Sequence, residues 1–488
     1  MIPDVAARVP EVEDFGPVFL IGIGGAGMSG IARILIARGV PVGGSDAKDS
    51  PGLAALRALG ARVYVGHDAA HLADARTVVV SSAVRETNPE LAAARERGLL
   101  VLHRSQALAA LMRGRRAVAV AGTHGKTTTT SMLTVALQHC GADPSFAIGG
   151  ELTGSGANAH DGTGDVFVAE ADESDGSFLL YSPTIAVITN VEADHLDHYG
   201  TAAAVEAAFD EFCARVVDGG LVVACGDDPG ARRVAGGAAA RLAARGVAVR
   251  FYGEGPDVDV RVRDVVAGGG GVRFGLSVHP EAALGPAPDG DLSEAVTLRV
   301  PGRHNALNAA AAWTAAIWLG MPPDRVAAGL AAFGGTRRRF EAKGEVGTVR
   351  VFDDYAHHPT EVAAVLRAAR GVAGDGRVLA VFQPHLYSRT RIFAREFGAA
   401  LGLADEVVVM DVYPAREDPE PGVTGDLVAT AVPLPPDRVA YQPSWSRAAA
   451  DVAARVRPGD IVLTVGAGDV TMLGPEILEV LRAGRPPG

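Results

Sequence analysis

The feature that most constrains this 488-residue chain is an apolar run that ends in a short glycine loop. The run "AVAVA" is followed directly by "GTHGKTTTT" (122–130) and then by a helix-forming stretch. A strand, a glycine turn and a helix in this order place backbone amides at a helix N-terminus, where they bind phosphate. Lys126 can reach the β- and γ-phosphates, and the Thr127 hydroxyl can coordinate Mg²⁺. Val120 replaces the glycine that usually stands five residues before Gly125, so we interpret this as a shortened phosphate loop for ATP or GTP.

A second glycine loop, "GIGGAG" (22–27), lies a hundred residues earlier. Gly22, Gly24 and Gly27 fit G-x-G-x-x-G, in which glycine allows a tight turn and lets a diphosphate approach the helix N-terminus. Asp46 ends the next predicted strand, 19 residues after Gly27, where its carboxylate can reach a ribose hydroxyl. NAD and a nucleotide sugar both offer a diphosphate and a ribose, so the loop alone leaves its ligand open. A simple dehydrogenase explains this loop but needs no nucleoside triphosphate site.

Apolar runs alternate with helix-like stretches along the chain, and this pattern starts afresh twice. It restarts near Arg116 with "AVAVAG" and again after the arginine cluster 337–339 with "VRVFDDYAHHPTE". Repeated strand–helix–strand units predict parallel sheets covered by helices. We predict an α/β protein of three domains: a Rossmann-like N-terminal domain (1–113), a central P-loop ATPase-like domain (114–335) and a C-terminal Rossmann-like α/β domain (336–488). The glycine- and proline-rich stretch 267–291 predicts hairpins and loops.

The composition argues against a nucleic-acid partner and against membrane insertion. The formal net charge is −12, whereas proteins that bind duplexes usually carry a basic excess or patch. No stretch approaches the ~20 apolar residues needed to span a bilayer, and the N-terminus lacks the pattern of a signal peptide. Cys140, Cys213 and Cys225 have no paired metal spacing, which predicts free thiols in a reducing compartment. We therefore expect a cytoplasmic protein.

An acidic cluster follows a predicted strand after the phosphate loop. The segment "AEADESDGSF" contains Glu170, Asp172, Glu173 and Asp175. Carboxylates this close repel one another unless a cation or backbone amides compensate, and Mg²⁺ is the natural partner beside a phosphate loop. A solvated acidic turn is the alternative interpretation.

Histidines and arginines follow other predicted strands. His195 lies in "NVEADHLDHYG" and could be a metal ligand or a structural histidine. In the third predicted domain, His357 in "DDYAHHPTE" could position a substrate, and Arg389 or Arg391 in "FQPHLYSRTR" could clamp a phosphoryl or carboxylate group. These residues lie at the carboxyl ends of strands, where open α/β sheets bind ligands. Surface residues without a role remain the alternative for Arg391.

Taken together, the motifs resemble the Mur ligases of peptidoglycan synthesis. Eight segments occur in the family's order between about residues 16 and 470: "GIGGAGMSGIA", "AGTHGKTTTT", "EADESDGSFL", "EADHLDHYG", "PGRHNALNAAAA", "RRRFE", "DDYAHHPTE" and "FQPHLYSRT". The resemblance implies that the first domain binds a UDP-sugar rather than a dinucleotide, the second ATP and the third an amino acid.

The resemblance also implies a role for individual residues. The UDP-sugar site would comprise Gly22, Gly24, Gly25, Gly27 and Asp46. The ATP site would comprise Gly122, Thr123, His124, Gly125, Lys126, Thr127, Thr128, His304, Asn305, Asn308 and Arg339. The amino-acid site would comprise Asp354, Tyr355, His357 and Arg389. A Mg²⁺ (or Mn²⁺) ion would be held by Thr127, Glu170 and His195. The implied catalytic set is Lys126, Glu170, His195, His357 and Arg389.

The reaction implied by the resemblance is ATP-driven amide formation through an acyl phosphate, with UDP-N-acetylmuramate and L-alanine as substrates. Several sister ligases have a carbamylated lysine after the "DHLD" motif, but no lysine occurs between Asp194 and Gly220, which fits the alanine-adding branch. Leu386 occupies a position that is arginine in some relatives, so Arg389 is expected to take more of the substrate contact. The alternatives are a related ligase that acts on folate or on a tripeptide, a nicotinamide-dependent oxidoreductase, and a P-loop switch or assembly ATPase.

Overall fold

Three β-sheets form the framework of the protein. The computed structural model describes residues 9–282, 284, 293–415 and 417–484. These fall into two compact units. The first consists of the described parts of Met1–Arg263, Gly275–Val296 and Leu307–Phe333, and the second of those of Asp264–Phe274, Thr297–Ala306 and Gly334–Gly488. The three sheets and their helices confirm the predicted three-domain α/β fold; the boundaries 1–113, 114–335 and 336–488 stay predictions.

The first sheet has five parallel strands in the order β3-β2-β1-β4-β5. Its strands are β1 (Val18–Ile21), β2 (Val42–Asp46), β3 (Arg62–Val65), β4 (Thr77–Val80) and β5 (Leu100–His103). Its helices are α1 (Ala26–Ala37), α2 (Pro51–Ala58), α3 (Pro89–Glu96) and α4 (Arg104–Met112), with single 3₁₀ turns at Val12–Asp14 and Ala69–Leu72. Helices α2 and α3 each begin with proline after a side-chain cap, Ser50 and Asn88, which fixes where the chain leaves the sheet.

The second sheet has ten strands in the order β15-β14-β13-β12-β11-β10-β6-β9-β7-β8. Its strands are β6 (Arg116–Ala121), β7 (Ser145–Ala147), β8 (Ala159–His160), β9 (Val166–Glu170), β10 (Ile185–Ile188), β11 (Leu221–Cys225), β12 (Ala248–Gly253), β13 (Val260–Gly268), β14 (Gly271–Val278) and β15 (Ser293–Leu298). The helices of this part of the chain are α5 (Lys126–His139), α6 (Leu196–Tyr199), α7 (Ala202–Ala214), α8 (Pro229–Ala243), α9 (Arg303–Trp318) and α10 (Pro323–Ala332), with a 3₁₀ turn at Ser177–Leu180.

The centre of the second sheet explains the continuous apolar runs in the sequence. Strand β6 pairs in parallel with β9 on one side and β10 on the other. The apolar residues of these three strands are buried, as expected for parallel strands covered on both faces. The predicted hairpins of 267–291 correspond in part to β13 and β14, and the remainder of that stretch lies largely outside the described residues.

The third sheet, in the second unit, has six strands in the order β16-β17-β21-β18-β19-β20. Its strands are β16 (Glu341–Val346), β17 (Val349–Asp354), β18 (Val378–Phe382), β19 (Glu406–Val409), β20 (Val439–Tyr441) and β21 (Ile461–Val465). Its helices are α11 (Pro359–Ala373), α12 (Tyr387–Leu401), α13 (Asp426–Ala431), α14 (Trp445–Arg455) and α15 (Leu473–Ala483), with 3₁₀ turns at Pro436–Arg438 and Asp469–Met472. Only β16 runs antiparallel to its neighbour, and the other pairs are parallel. Within the described residues, no helix is long and apolar enough to cross a membrane.

A buried glutamate ties together three elements of the first sheet. The Glu90 side chain on α3 is fully buried. Its carboxylate accepts a hydrogen bond from the Ser45 hydroxyl on β2 (2.6 Å) and lies 2.9 Å from His67 Nδ1 and 3.0 Å from His71 Nδ1. Because Ser45 precedes Asp46, this network stabilises the end of β2, where the sequence places the ribose-binding carboxylate.

We predict that Glu90→Ala destabilises β2 locally, because it leaves the Ser45, His67 and His71 partners without their shared acceptor. The expected loss is about 2–3 kcal/mol. Amide exchange in β2, measured where it reports the opening free energy, should accelerate by about 30- to 150-fold. The matched control is Glu86→Ala, since Glu86 is exposed and pairs with Arg95 on the surface. Equal protection of β2 in both variants would show that the network contributes nothing.

Candidate active site

The phosphate loop is already formed and is tied to the neighbouring strand. Gly122 and Gly125 have φ angles of +134° and +81°, which favour glycine, and α5 begins directly after them. The loop rests on the segment that follows β10. There the Thr189 hydroxyl donates to the His124 carbonyl (2.5 Å), and Asn190 Oδ1 accepts from the His124 amide (2.8 Å). The amides at the start of α5 are therefore available to bind an anion.

The other predicted loop residues are held in the same way. The Thr123 hydroxyl accepts a hydrogen bond from the Glu192 amide at 2.9 Å. Thr128 lies half-buried in the first turn of α5. Asn308 on α9 belongs to the same unit, and its Oδ1 lies 2.8 Å from where a Cβ at Gly125 would stand. Asn308 is thus placed beside the loop, as expected for a nucleotide contact.

Lys126 is paired with a carboxylate from the acidic cluster. Its Nζ donates to Glu173 Oε1 (2.9 Å) and to the Gly122 carbonyl (2.7 Å). Burial lowers the pKa of Lys126, but the charges of Glu173, Asp172 and Glu170 outweigh that effect, and the pKa is raised. The side chain therefore remains a cation beside the loop. The sequence predicted Lys126, but not that Glu173 is its partner.

Glu170 is placed beside Thr127 by the register of two strands. Val120 of β6 is opposite Glu170 of β9, so the carboxylate lies at the edge where the loop begins. Thr127 Oγ1 donates to Glu170 Oε1 at 2.9 Å, and the Gly149 amide donates to Oε2 at 2.7 Å. A hydroxyl and a carboxylate side by side are oxygen ligands of the kind that Mg²⁺ prefers.

His195 reaches the same cluster through a different residue. It immediately precedes α6 with a left-handed backbone (φ +53°). Its Nε2 lies 3.7 Å from Glu173 Oε1 and 3.6 Å from Asp194 Oδ2. His195, Glu173 and Lys126 therefore form a connected set. Glu170 joins this set through its charge on Lys126.

A cation from the first sheet also enters the cluster, and the sequence prediction missed it. Arg104 is the first residue of α4, and its Nη2 donates to Asp172 Oδ2 at 2.6 Å. Burial raises the pKa of Asp172, but the positive charges of Arg104 and Lys126 outweigh that effect and hold the pKa well below its usual range. Four carboxylates after one strand require cations, and "LHRSQ" places an arginine at a strand's carboxyl end, so a signal was present.

The first glycine loop is held against the end of β2. The Gly22 amide donates to the Ser45 carbonyl (2.8 Å), and the Gly24 amide donates to Asp46 Oδ2 (2.9 Å). Gly25 is the N-cap of α1 and Gly27 lies in its first turn. The five predicted UDP-sugar residues are thus brought together at one helix N-terminus. One oxygen of Asp46 supports the loop itself.

In the second unit, His304 and Asn305 start α9. The Asn305 side chain donates to the Pro301 carbonyl at 2.7 Å. Burial, with a smaller contribution from the positive charge of Arg339, lowers the pKa of His304 to about 4. His304 and Arg339 are therefore close enough to interact within this unit, as the prediction of a joint nucleotide site requires.

The predicted amino-acid residues gather at the end of β17. Asp354 accepts from the amides of Phe340 and Ala356 (both 2.8 Å), and burial raises its pKa to about 6. Arg339 lies over the Tyr355 ring, 5.4 Å from its centroid. The predicted residues Asp354 and Tyr355 therefore lie beside the predicted phosphate contact Arg339.

His357 and Arg389 complete this group. His357 Nδ1 lies 3.1 Å from the Tyr355 carbonyl. Burial lowers the pKa of His357 to about 3, with a smaller contribution from the positive charge of Arg389, which is buried on α12. Leu386 precedes α12 with φ +69°, a backbone conformation that is costly for leucine. Arg391 instead pairs with Glu420 at 2.9 Å and is half exposed, as the surface interpretation predicted.

Comparison with known proteins agrees with this arrangement. Three family models match consecutive parts of the chain: the Mur ligase family catalytic domain (residues 17–116), the Mur ligase middle domain (120–316) and the Mur ligase glutamate ligase domain (338–468). The chain belongs to the Mur ligase family. A UDP-N-acetylmuramate–L-alanine ligase of Kineococcus radiotolerans is 62% identical to this Mur ligase over 485 residues, which cover 99% of each chain.

Solved structures of Mur ligases have the same fold. A UDP-N-acetylmuramate–alanine ligase from Thermotoga maritima matches 96% of this chain and 100% of its own, with a TM-score of 0.77 and 27% identity. A MurF ligase from the same organism, in complex with ADP, matches 93% of this chain and 99% of its own, with a TM-score of 0.61 and 20% identity.

We predict that Gly122→Ala disables the phosphate loop, because its Cβ would lie 2.0 Å from Thr189 Oγ1. Thr189 would have to release the His124 carbonyl, so ATP affinity should fall by about 10- to 100-fold. Isothermal titration with a non-hydrolysable ATP analogue measures this. Gly141→Ala is the matched control, since Gly141 has φ +83° but nothing within 4 Å of the new Cβ. Equal affinity of the Gly122 variant and the wild type would contradict a preformed loop.

We predict that His357 stays neutral from pH 5 to 8, because burial lowers its pKa to about 3. An ordinary histidine titrates near ~6.5, so the unfolded chain binds this proton first and stability should rise with pH between about 3 and 6.5. In NMR of protein with ¹³C-labelled histidine, the His357 signal, assigned by its loss in His357→Asn, should show no titration midpoint in the neutral range. A His357 midpoint near ~6.5 would contradict the burial argument.

Proposed function

We propose that the chain joins L-alanine to the lactyl carboxylate of UDP-N-acetylmuramate, using ATP and forming ADP and phosphate. The observation that carries this proposal is the meeting of Lys126, Thr127 and Glu170 at the edge of the second sheet. A cavity there of about 230 Å³ is lined by Glu170 on one side and by Gly27 of α1 on the other. Such a cavity can bring a substrate held at the first glycine loop to the γ-phosphate of ATP at the second. The Kineococcus relative, named for this reaction, supports the choice of substrates.

The UDP-sugar diphosphate would lie at the N-terminus of α1, where Gly22, Gly24, Gly25 and Gly27 allow close approach, with Asp46 facing the ribose. ATP would place its phosphates on Gly122–Thr128, with Lys126 turning from Glu173 to the β- and γ-phosphates. His304, Asn305 and Asn308 would contact adenine, and Arg339 a phosphate. A MurF ligase has been solved with ADP, in keeping with a nucleotide site in this fold.

The donor set fits a divalent ion. Thr127 and Glu170 would hold Mg²⁺ or Mn²⁺ through oxygen, and His195 would be a further ligand beside Glu173. When bound, the ion would neutralise phosphate charge while the carboxylate approaches the γ-phosphate. Lys126 would contribute a fixed positive charge to the same place.

The amino acid would meet the group at the end of β17. Arg389 would bind the alanine carboxylate through charge-assisted hydrogen bonds. If Nδ1 of neutral His357 donates to the Tyr355 carbonyl, its Nε2 is left as an acceptor toward the amine. Asp354, with a pKa of about 6, would orient the same ammonium group near neutral pH. A cytoplasmic location and the lack of nucleic-acid partners remain predictions.

Phosphate release with UDP-N-acetylmuramate, L-alanine, ATP and Mg²⁺ tests the proposal. We expect release only when both acceptor substrates are present, with UDP-N-acetylmuramoyl-L-alanine identified by mass. Release without them would favour a P-loop ATPase. Activity only when the tripeptide L-alanyl-γ-D-glutamyl-diaminopimelate replaces L-alanine would favour a tripeptide ligase. A substrate-dependent change in nicotinamide absorbance would favour an oxidoreductase.

We predict that Lys126→Ala lowers kcat by about 10²- to 10³-fold or more, because the charge at the transferred phosphate is lost. Phosphate release and circular dichroism together separate a catalytic effect from unfolding. Lys343→Ala is the control, since Lys343 pairs with Glu341 on the third sheet and belongs to none of the predicted binding sites. Normal ADP formation by the Lys126 variant would overturn the assignment.

A further inference from the structure

Arg104 has donors that the protein does not use. A guanidinium carries five N–H donors in a planar fork. Among the described residues, the acceptor found for them is Asp172 Oδ2, at 2.6 Å from Nη2. The side chain is only 26% exposed. None of its nitrogens is buried without a partner, so the remaining donors are open to the cavity that Arg104 lines, where a ligand can take them.

The Asp172 side chain fixes the direction of this guanidinium. Its other oxygen, Oδ1, accepts from the Ser174 amide at 3.1 Å, so the carboxylate is itself held by the backbone. On the opposite side, a Cβ at Gly27 would lie 2.9 Å from Arg104 Nη1. Glycine at this position therefore keeps the guanidinium in contact with α1, the helix that follows the first glycine loop.

Arg104 lines the 230 Å³ cavity together with residues of α1, the end of β7 and Glu170 of β9. It is the only lysine, arginine or histidine among the described residues of that lining, whereas Glu170 and Asp172 both contribute carboxylates. An anion entering the cavity would be repelled by those carboxylates unless it faced Arg104. The cavity therefore has one place for a small anion, and that place lies between α1 and Glu170.

We propose that Arg104 binds the carboxylate of the nucleotide-sugar substrate and presents it to the ATP site, with Asp172 as its positioning residue. This inference rests on the proposed function. The substrate's diphosphate is the competing anion, but the N-terminus of α1 offers it a separate binding place. Arg104 touches α1 at Gly27 and extends toward Glu170, which is where the carboxylate must arrive to react.

Binding of two sugar nucleotides in the absence of ATP tests the proposal. UDP-N-acetylmuramate carries the lactyl carboxylate, and UDP-N-acetylglucosamine has the same diphosphate without it. We expect Arg104→Ala to weaken UDP-N-acetylmuramate binding by about 10- to 100-fold, because charge-assisted hydrogen bonds are lost. The affinity for UDP-N-acetylglucosamine should change by less than about two-fold, a difference within the scatter expected for sites that do not interact. Arg104→Lys should recover part of the loss, since it restores the charge without the planar fork.

Arg38→Ala is the matched control. Arg38 ends α1 and pairs with Asp161 of the second sheet's part of the chain at 2.9 Å, but it does not line this cavity. If Arg104 acts only by joining the two parts of the unit, Arg38→Ala should change the two affinities in the same way as Arg104→Ala. That result would overturn the proposal.

Two further outcomes would also overturn it. An equal loss for both nucleotides would mean that Arg104 binds the diphosphate, and no loss for either would mean that it binds neither group. Wild-type protein that does not bind UDP-N-acetylmuramate would refute the proposed function and this inference with it. If the wild type binds UDP-N-acetylmuramate but Arg104→Ala changes the affinities for both nucleotides equally, the inference is refuted and the proposed function is not.

Discussion

The ion pair between Lys126 and Glu173 is the interaction on which the candidate site depends. Both side chains are largely buried, and their atoms lie 2.9 Å apart. Removing a charge from water costs several kcal/mol unless a partner compensates. Glu173 therefore allows Lys126 to remain charged beside the phosphate loop when no nucleotide is bound. A nucleotide phosphate would replace one anion by another, and the lysine would be paired before and after binding. The lysine thus avoids being an uncompensated buried charge in either state.

Much of the fold follows from local patterns in the sequence. The buried strands β6, β9 and β10 are continuous apolar runs, and both glycine loops lie between a strand and a helix as predicted. Strand order is different, because it depends on pairing between distant segments. The pairing of β9 with β6 brings Glu170 close to Thr127, and no feature of either segment alone predicts that pairing. The resemblance to a known family supplied the link that local physics left open.

The partners of the acidic cluster could not be assigned from the sequence alone. Lys126 precedes Glu173 by 47 residues and Arg104 precedes Asp172 by 68, and Arg104 belongs to a different sheet. Charge repulsion among the carboxylates predicted that cations must be near, but many arginines satisfy that condition. Leu386 is a second example of what the sequence does not reveal. The sequence shows that leucine stands where some relatives have arginine, but the left-handed backbone of Leu386 depends on how α12 is connected to β18.

The charges of this acidic cluster explain why we expect a bound cation beside it. Glu170, Asp172, Glu173 and Asp175 all lie within one short segment, and Lys126 and Arg104 are the permanent cations that contact it. Burial lowers the pKa of His103, 3.6 Å from Asp175, to about 4, so this histidine is neutral near pH 7. Two carboxylate charges are then balanced by side chains, and two are left to backbone amides. Of these two, Asp175 accepts from the Ser177 amide, and Glu170 is the one that the proposed divalent ion would bind. The protein's own cations thus pair with Glu173 and Asp172, while Glu170, beside the Thr127 hydroxyl, is left for the metal.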